Sequence, residues 1–266
     1  MSVLSQILAD KRNEVDCAMR RVPLAAIAEQ ARAVNQQRDF KAALCRPGQT
    51  NLIAEVKKAS PSKGVIREDF DPVEIARTYA AHGASSISVL TDEKYFQGKL
   101  SYLSEIRKVV DVPLLRKDFI IDPYQIFEAR AAGADAILLI VAALTVDEII
   151  EYLRLATELH MASLIEVHDI EETRLAIEAG AEIIGINNRN LHTFRTTLAT
   201  TEEIMPVIPN GVISVSESGI NSRSDVDRLE RIRVNAILVG ECLMRQPDIG
   251  VGVDNLLNPV LQSVSS

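Results

Sequence analysis

Two lysines and a set of carboxylates stand at the ends of apolar runs in this sequence, where a buried strand has little reason to carry charge. Glu55 and Lys57 close the run Leu52, Ile53, Ala54, Val56. Lys117 closes Pro113 to Lys117, Glu166 closes Ser163 to Glu166, Asn187 and Arg189 follow Gly185, and Glu217 sits in Ser216-Glu217-Ser218-Gly219. Lysines and carboxylates within reach of one another are groups that give and take protons, and such clusters mark functional sites. The competing reading is a solvated rim or structural ion pairs. Ser60-Pro61-Ser62-Lys63-Gly64 follows the first pair; Pro61 fixes its own φ and Gly64 permits a positive one, so a mobile loop is expected beside the charges.

Spacing decides whether these side chains meet. Successive strand residues point to opposite faces, so Ile53, Glu55 and Lys57 share a face, as do Leu164, Glu166 and His168, and Gly185, Asn187 and Arg189. Ser218-Gly219 and Val239-Gly240 end the last two runs, where glycine lets the backbone approach a ligand and free N–H groups at a helix start favour an anion. Glu241 brings a carboxylate to the same helix start and has to point away from any phosphate. The plainer alternative is that these glycines only satisfy turn geometry. His82, His160, His168 and His192 show no metal-ligand spacing, and no metal is inferred; His168 alone lies near the charges, as a rim or orienting residue. Tyr95, Phe96 and Phe119 fall after the second and third runs, where they either wall an apolar pocket or cover the core edge.

The elements that position these residues follow a rhythm. Strand-like runs begin near Asn51, Ser85, Val112, Asp135, Ala162, Glu182, Gly211 and Asn235, with room between them for a helix and two short loops. His82-Gly83-Ala84, Ala132-Gly133-Ala134 and Ala179-Gly180-Ala181 repeat one pattern, each placing Gly where a helix ends in the left-handed conformation. Eight such units predict a single closed (β/α)8 TIM barrel rather than a doubly wound sheet, and the G-x-G-x-x-G fingerprint is absent. In such barrels the chemistry sits at the C-terminal strand ends, where the charges stand. Residues 1–47, with helices split at Pro23, read as an N-terminal helical extension, and residues 48–266 as the barrel.

Composition narrows the partners. Of 266 residues 47% are hydrophobic and 25% charged, an ordinary globular balance, and 29 Lys and Arg against 37 Asp and Glu leave a net charge of −8 with no basic cluster. Nucleic acid and anionic membrane are therefore not expected as partners, and an anionic substrate needs local cations. Cys17, Cys45 and Cys242 are too scattered for a disulfide framework. No signal peptide is read at the N-terminus, and the longest apolar stretch, Ala136 to Leu144, is about half a membrane span. A cytoplasmic monomer is expected.

LIAEVKKASPSKG at 52–64, IREDFDP at 66–72, TDEKYFQG at 91–98, LLRKDFI at 114–120, LIEVHD at 164–169, GINNRNL at 185–191, SVSESGI at 214–220 and LVGECLM at 238–244 closely resemble, in this order, the indole-3-glycerol phosphate synthase family. The resemblance covers essentially the whole chain, including an extension that the family sets over the barrel mouth. It implies a carbon–carbon lyase of tryptophan biosynthesis, without cofactor, converting 1-(2-carboxyphenylamino)-1-deoxyribulose 5-phosphate into indole-3-glycerol phosphate, carbon dioxide and water.

The resemblance further implies that Lys117 protonates the substrate carbonyl as the aromatic carbon attacks, and that Glu166, Glu55 and Lys57 are acid and base partners in dehydration. Lys57 is also placed to neutralise the substrate carboxylate and Asn187 to hydrogen-bond in the pocket. Arg189 and Glu217 match positions at the mouth where an ion-pair network orients the lysines. Ser60, Ser218, Gly219, Gly240 and Glu241, the last through its N–H, match the phosphate set, and Phe96, Phe119 and Leu138 the walls around the anthranilate ring. Asn190 in place of the usual Asp and Lys99 in place of a common Ser are departures that bear on loop contacts. The chain ends about two helices after strand 8, so the fused second enzyme of some relatives is not expected. The rival readings are another phosphate-binding barrel such as phosphoribosylanthranilate isomerase, a Schiff-base aldolase using Lys117, and an inactive barrel serving as a binding protein.

Overall fold

Period-two alternation in the strands separates two apolar layers. Ile53, Leu115, Leu138, Leu164, Val215 and Leu238 pack together inside the barrel, while Leu52, Ala54, Ile87, Ile137, Ile165, Ile184 and Ile237 pack outward against the helices. Both faces of each strand are thereby buried, as a parallel sheet sheathed by helices requires.

The computed structural model describes residues 3–48, 50–190, 193 and 195–258. Eight strands, β1 (Asn51–Val56), β2 (Ser86–Leu90), β3 (Leu114–Lys117), β4 (Ala136–Ile140), β5 (Ala162–Val167), β6 (Ile183–Asn187), β7 (Ile213–Glu217) and β8 (Ala236–Val239), pair in parallel and in sequence order. The barrel closes where Asn51 of β1 pairs with Ala236 of β8. Three helices precede it, α1 (Val3–Arg21), α2 (Leu24–Ala33) and α3 (Phe40–Ala43). The helices that follow are α4 (Pro72–Ala81), α5 (Glu93–Phe96), α6 (Ser101–Arg107), α7 (Pro123–Ala131), α8 (Val146–Glu158), α9 (Ile170–Glu178), α10 (Ala199–Ile204), α11 (Arg223–Arg231), α12 (Glu241–Met244) and α13 (Ile249–Leu257).

Helix starts and stops are written locally. Asp71, Asp122, Asp169 and Asp248 accept hydrogen bonds from the first free N–H groups of α4, α7, α9 and α13, and Thr145 and Ser222 make capping boxes with Glu148 and Asp225. Gly83, Gly133 and Gly180 take positive φ after α4, α7 and α9, as their repeated pattern predicts.

The three leading helices reach different parts of the barrel. Val3, Leu4 and Ile7 of α1 face the cavity at the C-terminal strand ends. Helix α2 lies along α7. Phe40 of α3 and Leu44, both fully buried, pack with Ala136, Ile183, Ile213 and Ala236, the first residues of their strands, and so plug the opposite end. The segment after β1, expected as a mobile loop, is a small antiparallel hairpin in which Ala59 and Ser60 pair with Val65 and Gly64.

Candidate active site

Glu55, Lys117, Glu166, Asn187 and Glu217 each end or nearly end a strand, and closure of the barrel turns all of them into one cavity of about 600 Å³. Lys57 joins them one residue beyond β1. Every residue singled out above as catalytic, substrate-binding or phosphate-binding lines this same cavity. Its size is that of a pocket for a small organic ligand.

The charges interlock. Lys117 Nζ lies 3.4 Å from Glu166 Oε2 and 3.5 Å from Glu217 Oε2, while Lys57 Nζ lies 3.1 Å from Glu55 Oε1. Asn187 Nδ2 donates to Glu166 Oε1 at 3.2 Å, and His168 Nε2 stands 3.3 Å from the same oxygen, its Nδ1 meeting Glu172 at 2.9 Å. Two glycines make the space. A Cβ on Gly185 would clash with the Glu217 carboxylate, and one on Gly240 with that of Glu55.

Protonation follows from this crowding. Burial opposes charge on Lys117, but Glu166, Glu217 and Glu55 outweigh it and hold the ammonium well above the ordinary lysine range. Burial likewise opposes charge on Glu166, and Lys117, His168 and Asn187 overcome it, so this carboxylate is held well below its usual range. Glu55 is lowered, Lys57 and Lys117 outweighing its burial. Burial would lower His168, but Glu166 and Glu172 raise it to about 10. Glu217 goes the other way: burial, with Glu166 and Glu55 nearby, raises it to about 7 against the pull of Lys117.

The raised Glu217 carries a stability signature. Its carboxyl stays protonated in the fold while the unfolded chain ionises near 4.5, so the native advantage is whole below that pH and falls as pH rises towards about 7. Glu217→Gln is expected to remove this decline, on the order of 3 kcal/mol, from stability measured by urea denaturation between those pH values. An unchanged slope would refute the buried neutral acid.

Some expected contacts are redirected. Arg189 is not paired with Glu217; its guanidinium reaches Ser62 Oγ at 3.3 Å and Glu241 Oε2 at 3.8 Å, while Glu217 meets Lys117. The Glu241 carboxylate also meets Arg245 at 3.0 Å. Phe96 and Phe119 stack obliquely, 6.2 Å between ring centroids, and Lys57 Nζ lies 5.8 Å above the Phe96 ring. Tyr95 instead turns to α1, where its hydroxyl donates to Asp10. Asn190 accepts from the Thr193 N–H, Lys99 is exposed, and His192 lies outside the described residues.

Sequence reasoning missed Lys63, which also lines the cavity from the hairpin, and it missed Lys11. Lys11 continues the buried stripe of Ile7 and Val15 on α1, yet it is a charge, only 3% exposed. Its Nζ lies 2.8 Å from Asp92, the cap of α5, and 3.0 Å from Asp118, the neighbour of Lys117. Asp118 is itself bonded by Thr91 and Arg116. Removing one member of a buried ion cluster leaves the others uncompensated. Lys11→Met is therefore expected to lower stability by about 3 kcal/mol and to strip α1 amides of hydrogen-exchange protection. Retained protection would show that α1 is held without this lysine.

The described residues contain no helix long and apolar enough to cross a membrane. Among solved structures, 3-hexulose-6-phosphate synthase from Salmonella typhimurium is similar with a TM-score of 0.63 at 15% identity, over 78% of this chain and 96% of that one, a likeness of fold alone. An indole-3-glycerol phosphate synthase of Alkaliphilus metalliredigens is 50% identical over 248 residues, 93% of this chain and 95% of that protein. One of Burkholderia vietnamiensis is 52% identical over 254 residues, 94% of this chain and 97% of that protein. The family model for indole-3-glycerol phosphate synthase matches residues 4–256, and with this agreement from end to end the chain belongs to the indole-3-glycerol phosphate synthase family.

Proposed function

We propose that this chain closes the indole ring of 1-(2-carboxyphenylamino)-1-deoxyribulose 5-phosphate and releases carbon dioxide and water, as a carbon–carbon lyase in tryptophan biosynthesis. The observation that carries the reading is the cavity in which a charged Lys117 stands between Glu166 and Glu217, with Lys57, an aromatic wall and the two glycine turns around it. In this reading the ring carbon bearing the carboxylate attacks the ketone, and Lys117 gives its proton to the oxygen as the carbon–carbon bond forms. A charged lysine suits that role, and its raised pKa speaks against a Schiff base, which needs a neutral amine.

Carbon dioxide then leaves with its bonding electrons returning to the ring. The new hydroxyl departs as water, pushed by the ring nitrogen and protonated by an acid, and a base removes the last ring proton. Glu166, held as a carboxylate, takes the part of base; Lys57, beside Glu55, meets the substrate carboxylate and joins the proton transfers. Asn187 holds Glu166, while Phe96, Phe119 and Leu138 keep water from the ring. Ser60, Ser218, Gly219, Gly240 and the Glu241 N–H receive the phosphate, with Arg189 at its edge. Ser60 supports this, since its buried Oγ has no hydrogen-bond partner among the described residues.

Residues 1–47 act in this reading as an extension whose α1 covers the mouth of the catalytic barrel of residues 48–266. The protein works as a cytoplasmic monomer on an anionic phosphate substrate. Incubation with the carboxyphenylamino-deoxyribulose phosphate, without added metal or cofactor, is expected to release carbon dioxide and develop indole fluorescence in equal amounts. If neither rises while the ligand binds, the assigned chemistry is wrong.

A further inference from the structure

Asn188 follows the inward-facing Asn187 and points the other way, to the outer side of the barrel wall, where it is only 1% exposed. Its Nδ2 donates to Ser216 Oγ at 2.9 Å, to the Glu217 carbonyl at 3.0 Å and to the Ser218 carbonyl at 3.1 Å. Its Oδ1 accepts from the N–H of Thr201 at 3.2 Å and from the Thr201 hydroxyl at 2.8 Å. The amide is thus fixed on both sides, and it grips two consecutive peptide groups of the turn after β7.

The planarity of those peptides carries the consequence. In a trans peptide the C=O and the following N–H point in opposite directions. With the carbonyls of Glu217 and Ser218 turned to Asn188, the N–H groups of Ser218 and Gly219 are turned away from it, and both residues line the cavity. Consecutive N–H groups in such a turn make a concavity for an anion. The Glu217 carbonyl also accepts from the Asn188 backbone N–H at 2.9 Å, whereas Ser218 has φ +66°, a left-handed conformation that is unfavourable for a non-glycine residue. Gly219, at φ +79°, has no room for a Cβ, which would lie 2.6 Å from Thr196 Cγ2.

We propose that Asn188 is a positioning residue for phosphate recognition, holding the Glu217 and Ser218 carbonyls outward so that two successive N–H groups face the substrate's phosphate. The proposal rests on the reading of this turn as the phosphate site. It predicts a selective loss that a merely structural asparagine would not give.

Asn188→Asp keeps the acceptor towards Thr201 but sets a carboxylate oxygen against two carbonyl oxygens. Calorimetric titration of the folded variant with inorganic phosphate is expected to show at least a tenfold weaker affinity, while 2-aminobenzoate, which has no phosphate, binds within twofold of wild type. Ser216→Ala removes a neighbour in the same network without touching either carbonyl. It is expected to lower the melting temperature and keep phosphate affinity within twofold. Wild-type phosphate affinity in folded Asn188→Asp, or equal losses in the two variants, would overturn the proposal.

Should Asn188→Asp fail to fold, the wild-type protein decides the matter. The ¹⁵N–¹H resonances of Ser218 and Gly219 are expected to shift on titration with inorganic phosphate, and their standing still overturns the proposal. Turnover of the full substrate with these two amides unmoved defeats the role of Asn188 alone. Shifted amides without turnover support it and defeat the synthase reading instead.

Discussion

Lys117→Ala is expected to leave the barrel folded and to lower turnover by roughly 10²- to 10⁴-fold, the usual loss for a positioned general acid. The side chain ends β3 at the cavity, in contact with Glu166 and Glu217 and in the field of Glu55. The fold survives because carboxylates deprived of a cation can take up protons, and Glu217 already does so near neutrality. Lys117→Arg is expected to share the loss, since a guanidinium gives up its proton far less readily than an ammonium. Initial rates from indole fluorescence, with circular dichroism as the check on folding, test both variants. Turnover near wild type in Lys117→Ala would remove Lys117 from the reaction.

Glu166→Gln is expected to separate the steps. The amide keeps the size of the side chain and the acceptor for Asn187, but it cannot take a proton, and it sets an NH2 group towards Lys117 or the charged His168. Ring closure and decarboxylation should therefore continue while the final proton removal slows by about 10²-fold or more. In a rapid-quench experiment, carbon dioxide would then lead indole, with an intermediate accumulating between them. Simultaneous release at wild-type rates would show that Glu166 is not the base.

The two variants also distinguish partners that look alike in one dimension. Lys57 and Lys117 both close apolar runs, yet Lys57 pairs within its own segment, with Glu55, whereas Lys117 reaches the carboxylates of β5 and β7. Which lysine meets which glutamate follows from closure and register. Pairing of Gly185 with Glu166 and of Asn187 with Glu217 sets the two carboxylates on either side of β6, and the absent Gly185 side chain leaves the space that Glu217 fills.

Much of the barrel was legible because its signals are short-range. Two-residue alternation assigns Glu55, Glu166 and Asn187 to the interior; Asp, Ser or Thr before a helix supplies its cap; Gly83, Gly133 and Gly180 mark left-handed helix ends. The observed strands begin within two residues of the predicted starts for the same reason. The family motifs add the reaction, since they fix residue types at these strand ends.

What the sequence by itself determined, then, is the eight-unit barrel and the set of side chains at its C-terminal mouth, since backbone periodicity and capping act over a few residues. Only the tertiary structure decided their partners. Lys11 on an otherwise apolar stripe finds Asp92 and Asp118 because α1, whose Val3, Leu4 and Ile7 line the cavity, packs beside them; Arg189 turns to Ser62 and Glu241; Phe40 and Leu44 plug the opposite end. Asn188, one residue from Asn187 in sequence, faces the other side of the wall and grips the turn after β7. Contacts of this kind join residues far apart in the chain, and their geometry exists only once the strands have closed in register.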